Sequence, residues 1–172
     1  MTTRRIYLDT EFTSLNRNRA KLISLALVVP GGPEFYVELI DTWMPADCSP
    51  FVLEVVLPLL DHVNHGRTTE QARLELLAFL QAIGSVEIIT DAPDHDWPLF
   101  LWLVGPAGLP ANVQPEPGQL MIDLDADYNG EEPPHHSLQD ARLLAALVEK
   151  SIPHDDASCT VNHVSVFNRT RI

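Results

Sequence analysis

The sequence predicts an α/β fold in which a mixed β-sheet is flanked by α-helices. Two observations carry this expectation. The chain opens with three apolar, β-branched runs joined by short polar turns, the pattern of an antiparallel meander. Helical and strand-like segments then alternate, which adds parallel strands and helical layers to that meander. A length of 172 residues suits a single domain over residues 1–172 with a substantial core. Hydrophobic residues at 45% against 20% charged residues exclude a disordered chain.

Taken in order, Arg5 to Thr10 is the first predicted strand. The polar turn Asn16 to Arg19 leads into a buried-type strand beginning at Leu22. Pro30-Gly31-Gly32-Pro33 is a strong turn, and Glu34 to Ile40 alternates as a third strand. After a loop from Asp41 to Ser49, Ser49 and Pro50 are suited to cap and start a helix, which Pro58 should kink or end. Thr68-Thr69-Glu70-Gln71 fits a capping box before a long apolar-periodic helix stopped by Gly84. Val86 to Thr90 is a short buried strand, and the segment from Asp91 to Phe100 opens a helix whose Trp97, Phe100 and Trp102 are expected in the core. Four prolines between Gly105 and Gly118 predict a loop inside the domain. Gln119 to Leu124 is a further strand candidate, Ser137 to Lys150 an amphipathic helix, and Val161 to Phe167 a last strand.

Composition also excludes function classes. The apolar runs Leu22–Pro30 and Phe51–Leu60 are too short or interrupted to span a bilayer. The opening Met-Thr-Thr-Arg-Arg shows no signal-peptide profile, and Cys48 and Cys159 have neither disulfide-framework nor zinc spacing, so a reducing, cytoplasmic setting is expected. A net charge of −13 argues against tight duplex binding. Of the 11 Lys and Arg residues, however, Arg4, Arg5, Arg17, Arg19 and Lys21 fall near the first strand, a basic rim compatible with a nucleic acid end.

The chemistry concentrates in three places. Asp9-Thr10-Glu11 ends the first strand, and strand alternation turns both acids to one face. Two such charges about 4 Å apart repel by roughly 4 kcal/mol at an effective dielectric of about 20, so a cation between them is the natural remedy. Asp96 follows the strand Val86–Thr90 at the start of a helix, with Asp91 and Asp94 as alternatives. His135 lies in a loop, five residues before Asp140 in a first helical turn. Taken singly, each acid fits a cap or a solvated turn, and Asp140 would suit its helix N-terminus. Asp123, Asp125 and Asp127 alternate, but lack the glycine and terminal glutamate of a calcium loop. His62, His65, His95, His136, His154 and His163 show no ligand spacing and are read as surface or packing residues.

In this order and at these separations, the three features resemble the motifs of the DEDDh 3′-to-5′ exonucleases, a branch of the ribonuclease H-like fold. Asp9-Thr10-Glu11 matches the first motif, Asp-x-Glu at a strand end. His135 and Asp140 match His-x-x-x-x-Asp, followed by Ala141-Arg142 as in many members, whereas His136 is one residue too close. The second motif departs from the pattern, since the family usually has Asn four residues before the Asp and this chain has Ala92. The Asp-Trp-x-Leu-Phe context favours Asp96 there. The resemblance spans roughly residues 4 to 150 and is nearest to ribonuclease T-like single-domain exoribonucleases.

That resemblance implies a ribonuclease H-like sheet and a metal-dependent 3′-to-5′ exonuclease acting on single-stranded RNA or DNA 3′ ends, RNA preferred, with release of nucleoside 5′-monophosphates. Asp9, Glu11, Asp96 and Asp140 would hold two hard cations, Mg²⁺ or Mn²⁺, and His135 would be the general base. Phe12, Thr13 and Leu15 stand where family members stack or wedge the terminal base, which implies substrate contact. Homodimers occur among ribonuclease T-like proteins, which extends the expectation to a homodimer without membrane partners. The rival readings are a DNA-cutting or proofreading exonuclease and a catalytically silent nucleic-acid- or protein-binding module of the same fold.

Overall fold

Ile6, Tyr7 and Leu8 begin a strand that extends further than the apolar run alone suggests. In the structure, a computed structural model that describes residues 3–120 and 133–151, β1 runs from Arg4 to Phe12 and passes through both acids. β2 (Leu22–Val28) is buried along its whole length and pairs antiparallel with β1, setting Asp9 opposite Ala26 and Glu11 opposite Ser24. The register slips between Glu11 and Phe12, which bends the strand just past the second acid. β3 (Glu34–Leu39) completes the predicted meander.

The sheet gains two parallel pairings. β4 (Gly66–Arg67), which the sequence did not suggest, adds to β3, and β5 (Val86–Ile89) lies beside β1, giving the order β4-β3-β2-β1-β5. The fold is therefore α/β, with a mixed five-stranded sheet flanked by helices, consistent with a ribonuclease H-like arrangement.

Strand alternation sorts the side chains into two layers. Ile6, Leu8, Leu25 and Leu27 face α2 (Thr69–Ile83) and α3 (Pro93–Val104), which contribute Leu76, Leu80, Phe100 and Leu103. Tyr7, Ala26, Val28 and Ile89 face α4 (Ser137–Ser151), with α1 (His62–His65) a single short turn elsewhere. Burying one such leucine is worth roughly 1.5–3 kcal/mol, so these faces fix the register of β1. Asp9 and Glu11, in phase with Tyr7, consequently point to the α4 side, while Thr10 points toward α3.

Helix ends follow the predicted chemistry in α2. Thr68 accepts from the Gln71 amide at 3.3 Å, Gln71 returns the bond to the Thr68 amide at 3.1 Å, and Gly84 leaves the helix at φ 91°. The stretch after Ser49 departs from expectation, because it forms a wide turn over Val52–Val56 and a tight one over Leu57–Leu59. Pro58 has no N–H to donate and its ring crowds the carbonyl four residues back, so a regular helix cannot run through it.

Residues 105–118 form the predicted loop, and it is anchored along β5. Asn112 accepts from the Val86 amide at 2.8 Å, while the Gln114 and Gly118 amides donate to Val86 and Ile88 at 2.9 and 2.8 Å. The segment thus covers the outer edge of β5, whose backbone groups would otherwise be unpaired. Trp102 is a second departure, since it is 45% exposed while Phe100 is fully buried and Trp97 packs against the core.

Among the described residues, no helix is long and apolar enough to cross a membrane. Gln119 and Leu120 are not in a strand, and the rest of that candidate, the Asp123–Asp127 alternation, His154, Cys159, His163 and the strand Val161–Phe167 lie outside the described residues.

Candidate metal centre

The two acids of β1 become a site because α3 and α4 each bring a carboxylate over the same end of the sheet. Asp96, in the first turn of α3, is buried at 1% exposure. Thr10 donates to its Oδ1 at 2.6 Å, and Thr90 donates a short bond to its Oδ2. Thr10 lies on β1 and Thr90 directly follows β5, so these two neighbouring segments hold one carboxylate between them. Asp140 lies in the first turn of α4 and does cap it, through Oδ2, which accepts from the His136 amide at 2.9 Å. Its Oδ1 is buried without a hydrogen-bond partner, as is Asp9 Oδ2.

The result is two groups of three acids that share Asp9. Carboxylate oxygens of Asp9, Glu11 and Asp140 lie within 4.8 Å of one another, and so do those of Asp9, Asp91 and Asp96. The four predicted ligands are all brought together. Asp91, an alternative to Asp96 in the sequence, joins it instead of replacing it. Asp94 is on the outside, paired with Arg17 at 3.5 Å.

Crowding shows in the proton affinities. Burial above all, then the neighbouring acids Asp96, Glu11 and Asp140, pushes Asp9 well above the usual carboxylate range. Burial followed by Asp140 and Asp96 pushes Glu11 up to about 8. Burial raises Asp96 to about 7 against the lowering effect of its threonine donors, and raises Asp140 to about 6 against its bond from His136. Asp91, although exposed as a residue, is raised as well by partial desolvation of its carboxyl. The acids of each group lie close enough together to hold a cation through oxygen ligands, which would offset this crowding. The donors fit a hard divalent ion: all are carboxylates, with no thiolate or imidazole in either group.

His135 reaches the same cleft from the loop before α4. It takes a left-handed backbone conformation, φ 56°, unusual for a residue with a Cβ. The Phe51 ring meets its imidazole edge-on at 4.9 Å. Next to it, His136 stacks on Tyr36 at 5.0 Å, the packing role the sequence assigned to it. The cleft, about 460 Å³, has an acidic floor and an apolar wall formed by Leu15, Phe51, Val52 and Val56.

The predicted substrate contacts divide. Phe12 lines the cleft and stacks flat on His95 at 5.2 Å, and Leu15 stands at the mouth, 79% exposed. Thr13 is a correction, because it is fully buried and does not line the cleft. Its hydroxyl accepts from the Lys21 amide at 3.1 Å, closing the β1–β2 loop. Ser49, Phe51, Val52 and Val56 were not foreseen as lining. The apolar run containing Phe51, Val52 and Val56 was visible in the sequence, but its placement over the acids depends on the irregular turns of Val52–Leu59.

The five cations near the first strand also divide. Arg4 and Arg5 sit at the far end of β1, on the order of 20 Å from Glu11, where Arg5 approaches Glu87 at 3.7 Å. Arg17, Arg19 and Lys21 remain on the side of the acids. Comparison with known proteins found no family model that matches this chain and no match among curated proteins.

Proposed function

We propose that the protein is a metal-dependent 3′-to-5′ exonuclease that removes nucleoside 5′-monophosphates from single-stranded ends, RNA in preference to DNA. The observation that carries this reading is the pair of carboxylate groups sharing Asp9, beside a histidine and an apolar wall in one cleft. The RNA preference rests on the resemblance to ribonuclease T-like proteins alone.

Asp9, Glu11 and Asp140 would hold one Mg²⁺ or Mn²⁺, and Asp9, Asp91 and Asp96 a second. Ions bound there would offset the charge of the phosphodiester and lower the pKa of a water beside it. The chain's own residues do the rest. The Leu15–Phe51–Val52–Val56 wall takes the terminal nucleoside, with a base stacked on an aromatic ring worth about 1–3 kcal/mol. His135, steadied by Phe51, accepts the proton of the water that attacks phosphorus. The bond from phosphorus to the 3′ oxygen of the penultimate nucleotide breaks, and that oxygen takes a proton from solvent as it leaves. A cleft of this size fits one nucleotide, not a duplex.

The test uses 5′-labelled single-stranded RNA and DNA with Mg²⁺ or Mn²⁺, beside Asp140→Ala and a chelator. The expected result is a ladder shortening from the 3′ end that both controls abolish. Absence of metal-dependent shortening of either polymer sinks the reading, and faster loss of DNA reverses the preference. For the second motif, Asp96→Asn should lower kcat by about a hundredfold or more, on the scale seen when one fixed charge of an active site is lost. Asp91→Asn should lower it less, because Asp91 is the exposed member of its group.

A further inference from the structure

The cleft continues into a groove, and the groove has the opposite charge character. Ser14 and Ser49 line both. Beyond them the groove, about 690 Å³, is lined by Asn16, Asn18, Arg19, Lys21 and Asp47. Ser14 is three residues past Glu11, at most about 10 Å along the chain, so the groove starts within reach of a nucleotide whose neighbour occupies the acid floor.

We propose that this groove binds the phosphates of the nucleotides upstream of the scissile bond, giving the strand a defined exit over the β1–β2 loop. The inference rests on the exonuclease reading of the neighbouring cleft. In a chain of net charge −13, an anionic strand leaving the cleft is repelled by most of the surface. Here it meets the cations left on the acidic side of β1. Arg19 makes no ion pair among the described residues and is exposed. Lys21 donates to Asp47 at 2.8 Å, and Asp47 also accepts from the Met44 amide at 2.8 Å. The carboxylate in the groove is thus already engaged, and it aims the lysine.

The groove is also preformed. Asn16 accepts from the Asn18 amide through Oδ1 at 3.2 Å and from the Arg19 and Ala20 amides through its carbonyl at 2.8 Å each. Thr13 and Lys21 close the loop by main-chain and hydroxyl bonds of 3.0 and 3.1 Å. Ordering costs at the moment of binding are correspondingly small. The polar groups offered, guanidinium, ammonium, amides and a serine hydroxyl, are those that position a phosphate without reading a base.

The experiment compares wild type with Arg19→Ala/Lys21→Ala, both side chains exposed, on two substrates. One is a short single-stranded oligonucleotide. The other is the p-nitrophenyl ester of thymidine 5′-monophosphate, which has the terminal nucleotide and its phosphate but nothing upstream. The ratio of kcat/KM on the oligonucleotide to that on the ester should fall about tenfold in the variant. Anisotropy with the labelled oligonucleotide, Ca²⁺ replacing Mg²⁺, should show the slope of log K against log salt reduced by about 1.4, or about 0.7 for each lost contact to a single strand. An unchanged ratio with ester hydrolysis intact overturns the groove and leaves the exonuclease reading standing. Oligonucleotide binding that loses its salt slope in the variant, with neither substrate cut, supports the groove and overturns the exonuclease. Failure of the wild type to bind the oligonucleotide overturns both.

Discussion

Among the described residues, Asp9 carries the most physical conflict. It belongs to both acid groups, its Oδ2 is buried without a partner, and four further carboxylates raise its proton affinity. At 4.8 Å and an effective dielectric of about 20, each ionised pair repels by on the order of 3 kcal/mol. A chain selected only for stability gains by removing it. Asp9→Asn should therefore raise the Tm of the metal-free protein by several degrees, about 5 °C near pH 8 and little near pH 5, while activity disappears. The sign follows from linkage: the native carboxyl holds its proton to higher pH than the unfolded one, so its destabilising effect grows as pH rises. A lower Tm near pH 8 would mean that Asp9 is there to support the fold.

Among the elements, α4 illustrates how much was legible. His135, Asp140 and the amphipathic run behind them were readable because helix periodicity and a five-residue spacing are local properties. So were the capping box of α2 and β1 as far as Thr10, whereas the continuation of β1 through Glu11 to Phe12 was not. The placement of Asp91 was not legible, since nothing local says whether a turn residue faces inward. Nor was the apolar wall, which depends on the irregular turns of Val52–Leu59, or the fate of Thr13, whose hydroxyl was needed by a loop nine residues long. The edge of β5 makes the same point. Composition predicts a loop for residues 105–118, whereas pairing with an open strand edge is a tertiary event. Asn112 ties that segment down, its side-chain amide donating to Leu80 at 2.8 Å and Gly84 at 2.5 Å. Asn112→Ala should cost about 1–3 kcal/mol in urea denaturation by orphaning two carbonyls. No loss would mean that water replaces the amide there.

For the whole molecule, the acid cluster should set how stability varies with pH. Asp140, Asp96 and Glu11 have native pKa values of about 6, 7 and 8, against about 4 for carboxylates in an unfolded chain. Between about pH 4 and pH 8 the native state holds more protons than the unfolded one, so stability falls as pH rises through that window. His136 opposes this weakly, because burial lowers its pKa and native stability is lost as its unfolded form takes up a proton. The overall charge of −13 acts in the same direction as the cluster, through general self-repulsion at high pH. Salt separates the two causes. At about 0.5 M the screening length is about 4 Å, enough to quench charges spread over the surface but not those enclosed together at β1. In chelator, the Tm should drop by about 5 °C from pH 5 to pH 8 and keep most of that drop in high salt. Mg²⁺ or Mn²⁺ should raise the Tm more at pH 8 than at pH 5, since only deprotonated carboxylates bind the ion. A drop that salt abolishes assigns the pH dependence to the surface. A Tm that rises toward pH 8 without metal means that the carboxylates are not crowded in solution as they are at the end of this sheet.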